Sequence, residues 1–124
     1  MPPATLHMIS PYLIPAIIRT PPEIVEQAVC RIFGMTHETL RSRTNKHKIT
    51  LPRQVAMYMM RKHCKMSQQA IADYFDKKAP ATVCHAEHSI QNIISSPDKR
   101  LKEDIEKVNI IDKYIETEFT NQIL

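Results

Sequence analysis

The stretch that most constrains this fold runs from Ser67 to Ser96, SQQAIADYFDKKAPATVCHAEHSIQNIISS. Ser67 is suited to accept from the free amides of a first helical turn. Ala70, Ile71, Tyr74 and Phe75 then recur as one apolar stripe at helical period. Asp76, Lys77 and Lys78 end that stripe with residues suited to a surface turn. Pro80 opens a second helix, where its missing N–H has no helical partner to lose. In that helix Val83, Ala86, Ile90, Ile93 and Ile94 fall on one side, and Thr82, His85, Ser89 and Asn92 on another. A short helix, a tight break and a longer helix with a small, hydrogen-bonding face is the pattern of a helix-turn-helix, whose second helix fits a DNA major groove. A plain helical hairpin has the same pattern, so the surrounding residues must decide.

Charge favours a polyanionic partner. The net charge is only +4, but no acidic residue lies between Glu38 and Asp73. The same interval carries Arg41, Arg43, Lys46, Lys48, Arg53, Arg61, Lys62 and Lys65, with His47 and His63 among them. More than half of the acid lies from Asp98 onward, in the last predicted helix. Solvated surfaces usually mix both signs, so one-sign clustering beside a helix-turn-helix is an electrostatic footprint for nucleic acid.

The rest of the chain reads as all-α, a compact bundle of about six helices. One glycine, no tryptophan and no β-branched alternation argue against a sheet, and 124 residues suffice for one self-sufficient core. Residues 1–20 form a proline-punctuated apolar arm, residues 21–120 the domain and residues 121–124 a tail. The arm packs onto its own domain or meets a second copy or another protein; the sequence leaves both open. Thr20-Pro21-Pro22-Glu23 has capping-box spacing, Ile24, Val25, Ala28, Val29, Ile32 and Phe33 form a buried stripe, and Gly34 closes the helix. Thr36–Leu40 forms a short helical turn, and a basic loop follows from Arg41 to Lys48. Thr50-Leu51-Pro52-Arg53 begins the next helix, and Ser96-Pro97-Asp98 begins the last, with Leu101, Ile105, Val108, Ile111 and Ile115 inward.

Several function classes are excluded as expectations. Cys30, Cys64 and Cys84 lie in or beside apolar stripes without paired spacing, as small buried hydrophobes of a reducing compartment do. His63, Cys64, Cys84, His85 and His88 lack CxxC or HxxxH spacing, so neither a metal nor another cofactor is expected. His85 and His88 flank Glu87, but neighbours on a helix diverge, and no nucleophile motif exists; the chain is not an enzyme. No apolar run approaches a membrane span, and Pro2, Pro3, Pro11 and Pro15 interrupt any leader-like segment. A cytoplasmic, nucleoid-associated protein is expected.

The segment KITLPRQVAMYMMRKHCKMSQQAIADYFDKKAPATVCHA, Lys48 to Ala86, resembles the C-terminal DNA-binding domain of the bacterial replication initiator DnaA. Its most specific pieces are Pro52-Arg53-Gln54-Val55-Ala56-Met57-Tyr58 and Thr82-Val83-x-His85-Ala86, and the similarity extends from about Ile24 to about Ile115. That domain is all-helical and places its helix-turn-helix in the major groove and a basic loop in the adjacent minor groove. The resemblance implies that Arg53 and Gln54 meet the phosphate backbone and that Arg41 to Lys48 supply the loop, with Arg41, Arg43, Lys46 and Lys48 neutralising phosphates. Lys77 and Lys78 would anchor the turn, and Ala81, Thr82, His85 and Ser89 would face the bases.

The departures from the family are as informative. Where it carries Gly-Gly-Arg-Asp-His-Thr-Thr-Val, this chain reads Asp76-Lys77-Lys78-Ala79-Pro80-Ala81-Thr82-Val83. The family's base-reading Asp, His and first Thr have become Ala79, Pro80 and Ala81, which cannot hydrogen-bond a base edge with their side chains. The loop arginine that enters the minor groove falls on Asn45, with Arg43 and Lys46 nearby. Losing several base contacts at ~1–3 kcal/mol each would erase most recognition of the family's own site. The initiator's ATPase part and its phosphate loop have no counterpart, so no nucleotide is expected and replication initiation does not transfer.

The resulting expectation is a non-enzymatic double-stranded DNA-binding protein with altered site specificity, acting in regulation of replication or transcription. Neutralising roughly six phosphates would give a salt slope near −5. The alternative is a protein-interaction module that reuses the fold after DNA reading has lapsed.

Overall fold

The computed structural model describes residues 20–77 and 79–123. The expected arm, apart from Thr20, therefore lies outside the described residues, as does Lys78. Among them the chain forms six α-helices and one 3₁₀ turn: α1 Pro22–Phe33, α2 His37–Arg41, α3 His47–His63, α4 Gln68–Tyr74, α5 Ala81–Ser95, the turn Lys99–Leu101, and α6 Lys102–Ile123. The all-α expectation holds.

Local chemistry places most helix ends. Thr36 and Ser67 cap α2 and α4, accepting from the amides of Thr39 and Ala70 at 3.1 Å each. Gly34 ends α1 in the left-handed region at φ 67, a conformation glycine reaches without a Cβ clash. Asp98 caps the 3₁₀ turn through the Arg100 amide at 2.9 Å.

Three starts differ from expectation. Pro21 stands at the N-cap of α1 without a side-chain cap, while Thr20 is itself buried. Pro80 stands just outside α5, as its N-cap. Helix α3 begins at His47, a turn before Thr50, so Pro52 lies inside it. Proline there removes only one N–H, and the Ile49 and Thr50 amides have already closed the first turn on the Lys46 carbonyl. The basic loop therefore shortens to Ser42–Lys46, and His47 and Lys48 become helical.

Helix α3 lies at the centre and packs against the other five helices, while α1 also packs along α6. Val55, Ala56, Met57, Met59 and Met60 from α3 meet Val25, Ala28 and Val29 of α1, Ile71 of α4, Val83, Ala86 and Ile90 of α5, and Val108, Ile111 and Ile115 of α6 in one core. The methionines, unbranched and polarisable, fill the spaces between helices meeting at several angles. The stripe on α5 runs out at the core's rim, where Ile93 is half-buried and Ile94 exposed. On α6, Lys107 pairs with Glu103 at 3.4 Å. No described helix is long and apolar enough to cross a membrane.

Candidate nucleic-acid interface

Helices α4 and α5 are joined by a turn with its own backbone logic. Asp76 takes a left-handed φ of 56. This lets the Asp76 amide donate to the Asp73 carbonyl at 3.1 Å and the Lys77 amide donate to the Ala72 carbonyl at 2.7 Å. Those two bonds form a Schellman closure. The chain then turns through Ala79 and Pro80, both exposed, into α5. Val83, Ala86 and Ile90 hold α5 on the core, so Ala81, Thr82, His85 and Asn92 face outward, with Ser89 half-buried among them.

The loop Ser42–Lys46 is held from inside by two arginines. Arg53 is only 5% exposed. Its Nε donates to the Leu40 carbonyl at 3.0 Å, one Nη to the Thr44 carbonyl at 3.2 Å, and the other Nη to the Ser42 carbonyl. Burial lowers its pKa from the ordinary arginine value, yet a guanidinium remains charged in a protein. Arg41 turns back to α1, where its Nε and a terminal nitrogen reach Glu26 Oε2 at 3.0 and 2.9 Å. Its guanidinium also lies 4.4 Å from the Tyr74 ring centre, a cation–π contact.

Glu26 receives His37 Nδ1 on its other oxygen. Burial pushes this carboxyl's pKa up, but the bonds from His37 and Arg41 outweigh burial and hold it below the usual carboxylate value.

The cations Arg43 and Lys46 of the loop and Lys48 of α3 point outward. Lys46 and Lys48 are exposed, as is Arg43, which reaches across to Asp76 at 3.7 Å with both side chains more than nine-tenths exposed. Such a pair is worth little in water. Lys77 is half-buried; desolvation, followed by the neighbouring charges of Arg53 and Arg43, lowers its ammonium pKa against the opposing pull of Asp76. Like charges crowd this corner.

A cleft of about 260 Å³ joins four elements, lined by Asn45 of the loop, Gln54 of α3, Lys77 of the turn, and Thr82 and His85 of α5 among others. Arg53 and Thr50 form part of its floor; the Thr50 hydroxyl is buried without a hydrogen-bond partner among the described residues. Of the candidate residues, Gln54, Lys77, Thr82 and His85, with Arg53, thus line one cleft. Arg53 itself looks inward, and its expected phosphate contact does not match this geometry; Arg41, though held by Glu26, keeps a side chain 45% exposed. Sequence reading missed Glu26, His37 and Tyr74, which brace the loop. No periodic signal marked Glu26, which falls off the stripe Ile24, Val25, Ala28 and Val29 on a helical wheel yet is buried.

The described residues therefore form an all-helical helix-turn-helix domain with a basic loop braced beside its second helix. The chain belongs to the helix-turn-helix family of the bacterial DnaA protein, whose family model matches residues 22–90. Among its relatives, the chromosomal replication initiator protein DnaA of Microcystis aeruginosa is 32% identical over 117 residues, 90% of this chain and 26% of that protein. The initiator of Pseudothermotoga lettingae is 30% identical over 88 residues, 71% of this chain and 20% of its own length. That of Desulfatibacillum aliphaticivorans is 43% identical over 63 residues, 51% of this chain and 14% of the relative. The chain thus spans at most about a quarter of these three relatives.

Proposed function

We propose that this chain binds double-stranded DNA, with α5 in the major groove and the Ser42–Lys46 loop in the adjacent minor groove. The observation carrying this reading is the shared cleft, which sets loop, α3, turn and α5 side by side. Arg43, Lys46, Lys48, Lys77 and Lys78 neutralise phosphates, Gln54 lies within the cleft as a further backbone contact, and Thr82, His85 and Ser89 meet base edges. Ala81 contributes only van der Waals contact, such as with a thymine methyl.

The target differs from the site read by the family, because Ala79, Pro80 and Ala81 stand at the tip of α5 where the family's hydrogen-bonding readers stand. Such a protein acts without catalysis in regulating replication or transcription. Selection from a random duplex library at moderate salt tests this. An enriched motif unlike the family's site supports the reading, uniform retention reduces it to non-specific binding, and no retention refutes it in favour of an interaction module.

A further inference from the structure

We propose that Arg53 is a positioning residue, whose guanidinium holds the Ser42–Lys46 loop in its DNA-binding shape and does not itself contact phosphate. This rests on the duplex-binding reading above. Three consecutive nitrogens of the fork serve three carbonyls, those of Leu40, Ser42 and Thr44, which all belong to the chain entering or forming the loop. Those carbonyls sit outside helical hydrogen bonding, and a buried acceptor without a donor is costly. A planar fork with fixed spacing can serve several acceptors simultaneously, whereas an ammonium is a compact point charge on a flexible stem.

Burial of Arg53 keeps its charge beneath the surface while the loop projects Arg43 and Lys46 outward. A second arginine, Arg41, fixes the chain just before the loop through Glu26. The loop is therefore organised before any duplex arrives, so ordering it does not draw on the binding free energy.

The charge-conserving exchange separates positioning from contact. Wild type, Arg53→Lys, Arg53→Met and Arg43→Gln are compared for affinity to one duplex across a salt series, well below the melting temperature. Positioning predicts that Arg53→Lys loses affinity nearly as strongly as Arg53→Met, by about tenfold or more. Its salt slope becomes shallower although no charge was removed, by up to ~1.8 if Arg43 and Lys46 both disengage at ~0.9 each. Arg43→Gln alone lowers the slope by ~0.9. A smaller folded fraction scales every affinity alike and leaves the slope unmoved, so this readout separates positioning from general destabilisation.

Limited trypsin digestion of the free proteins supplies a second arm, with the first cut mapped by mass. In both Arg53 variants the first cut moves to the bond after Arg43. Wild-type affinity and slope in Arg53→Lys would overturn the proposal. So would a one-charge slope loss confined to Arg53→Met with an unchanged cutting pattern. If Arg53→Met does not fold, Arg53→Lys and Arg53→Gln make the same comparison. A wild type that binds no duplex overturns the DNA-positioning role together with the reading beneath it, while the cutting pattern still reports the brace itself.

Discussion

Asp76 is the residue whose replacement tests the helix-turn-helix most sharply, because it holds a conformation its side chain disfavours. An L residue in the left-handed region costs roughly 1–2 kcal/mol, with Asp and Asn at the lenient end. Glycine removes that strain but returns ~0.4–1 kcal/mol through the greater freedom of its unfolded chain. With Asp at the lenient end near ~1 kcal/mol, the net expectation for Asp76→Gly is stabilisation of up to about 0.6 kcal/mol, or up to about 3 °C in melting temperature for a domain of this size. The lost pair with Arg43 changes little, since both side chains are more than nine-tenths exposed. Asp76→Asn should match wild type in stability, and Asp76→Ala should fall below it because Ala keeps the Cβ without asparagine's tolerance of this region. Urea and thermal unfolding of the series check the order. Charge separates from backbone in duplex binding: Gly and Asn, which both remove the carboxylate beside Arg43 and Lys77, should tighten it equally. A glycine variant no more stable than the alanine variant would refute the assignment of strain to φ 56 at this turn.

The remaining predictions concern the core, the thiols and acid stability. Ile90→Ala empties a fully buried position on α5 and should cost about 2–5 kcal/mol, read as a lowered urea midpoint. Burial pushes the Cys64 thiol up to about 12 and raises that of Cys30, so a thiol reagent at pH 8 should label Cys84 first and the other two only on unfolding. Glu26 and Asp112 both titrate below their ordinary carboxylate values: burial raises each, and bonds from His37 and Arg41, or from Lys62 and His63, outweigh it. Their stabilisation is complete above the ordinary carboxylate range and lost as pH falls through the depressed values. Glu26→Gln should therefore flatten the acid limb of stability against pH, and an unchanged limb would count against the Glu26 cluster.

Fold and site were legible in the sequence to different degrees, for physical reasons. The helices announced themselves because apolar side chains recurring at 3.6-residue spacing have one face to bury, as in Val83, Ala86 and Ile90. Gly34 and Ser67 were readable because capping is local chemistry, whereas Thr36, expected inside its helical turn, stands just outside it as the N-cap. The start of α3 was not, since Lys46 stands at its N-cap without a side-chain cap and Pro52 imitates an N-terminal signal from inside the helix. The outward side of α5, with Ala81, Thr82 and His85, followed from the face opposite the stripe Val83, Ala86 and Ile90. The direction of each cation did not follow, because an arginine's spacing along the chain says nothing about whether a carbonyl cluster or a carboxylate waits inside.

That difference bears on the acid-free interval as a whole. Its eight cationic residues read as one surface, but the structure divides them. Arg41 and Arg53 brace the loop, Arg61 pairs with Glu87 on α5 at 3.2 Å, and Lys62 pairs with Asp112 on α6 at 3.0 Å. Lys46 is exposed on the loop. Lys46→Gln and Lys62→Gln therefore remove the same charge from the same stretch with different consequences. Lys46→Gln should reduce the salt slope of duplex binding by ~0.9 without affecting stability. Lys62→Gln should leave the slope unchanged and weaken stability by at most about 1 kcal/mol, since its pair is partly exposed. Equal slope losses in the two variants would mean that the whole basic stretch meets DNA and that the Lys62–Asp112 pair gives way to phosphate.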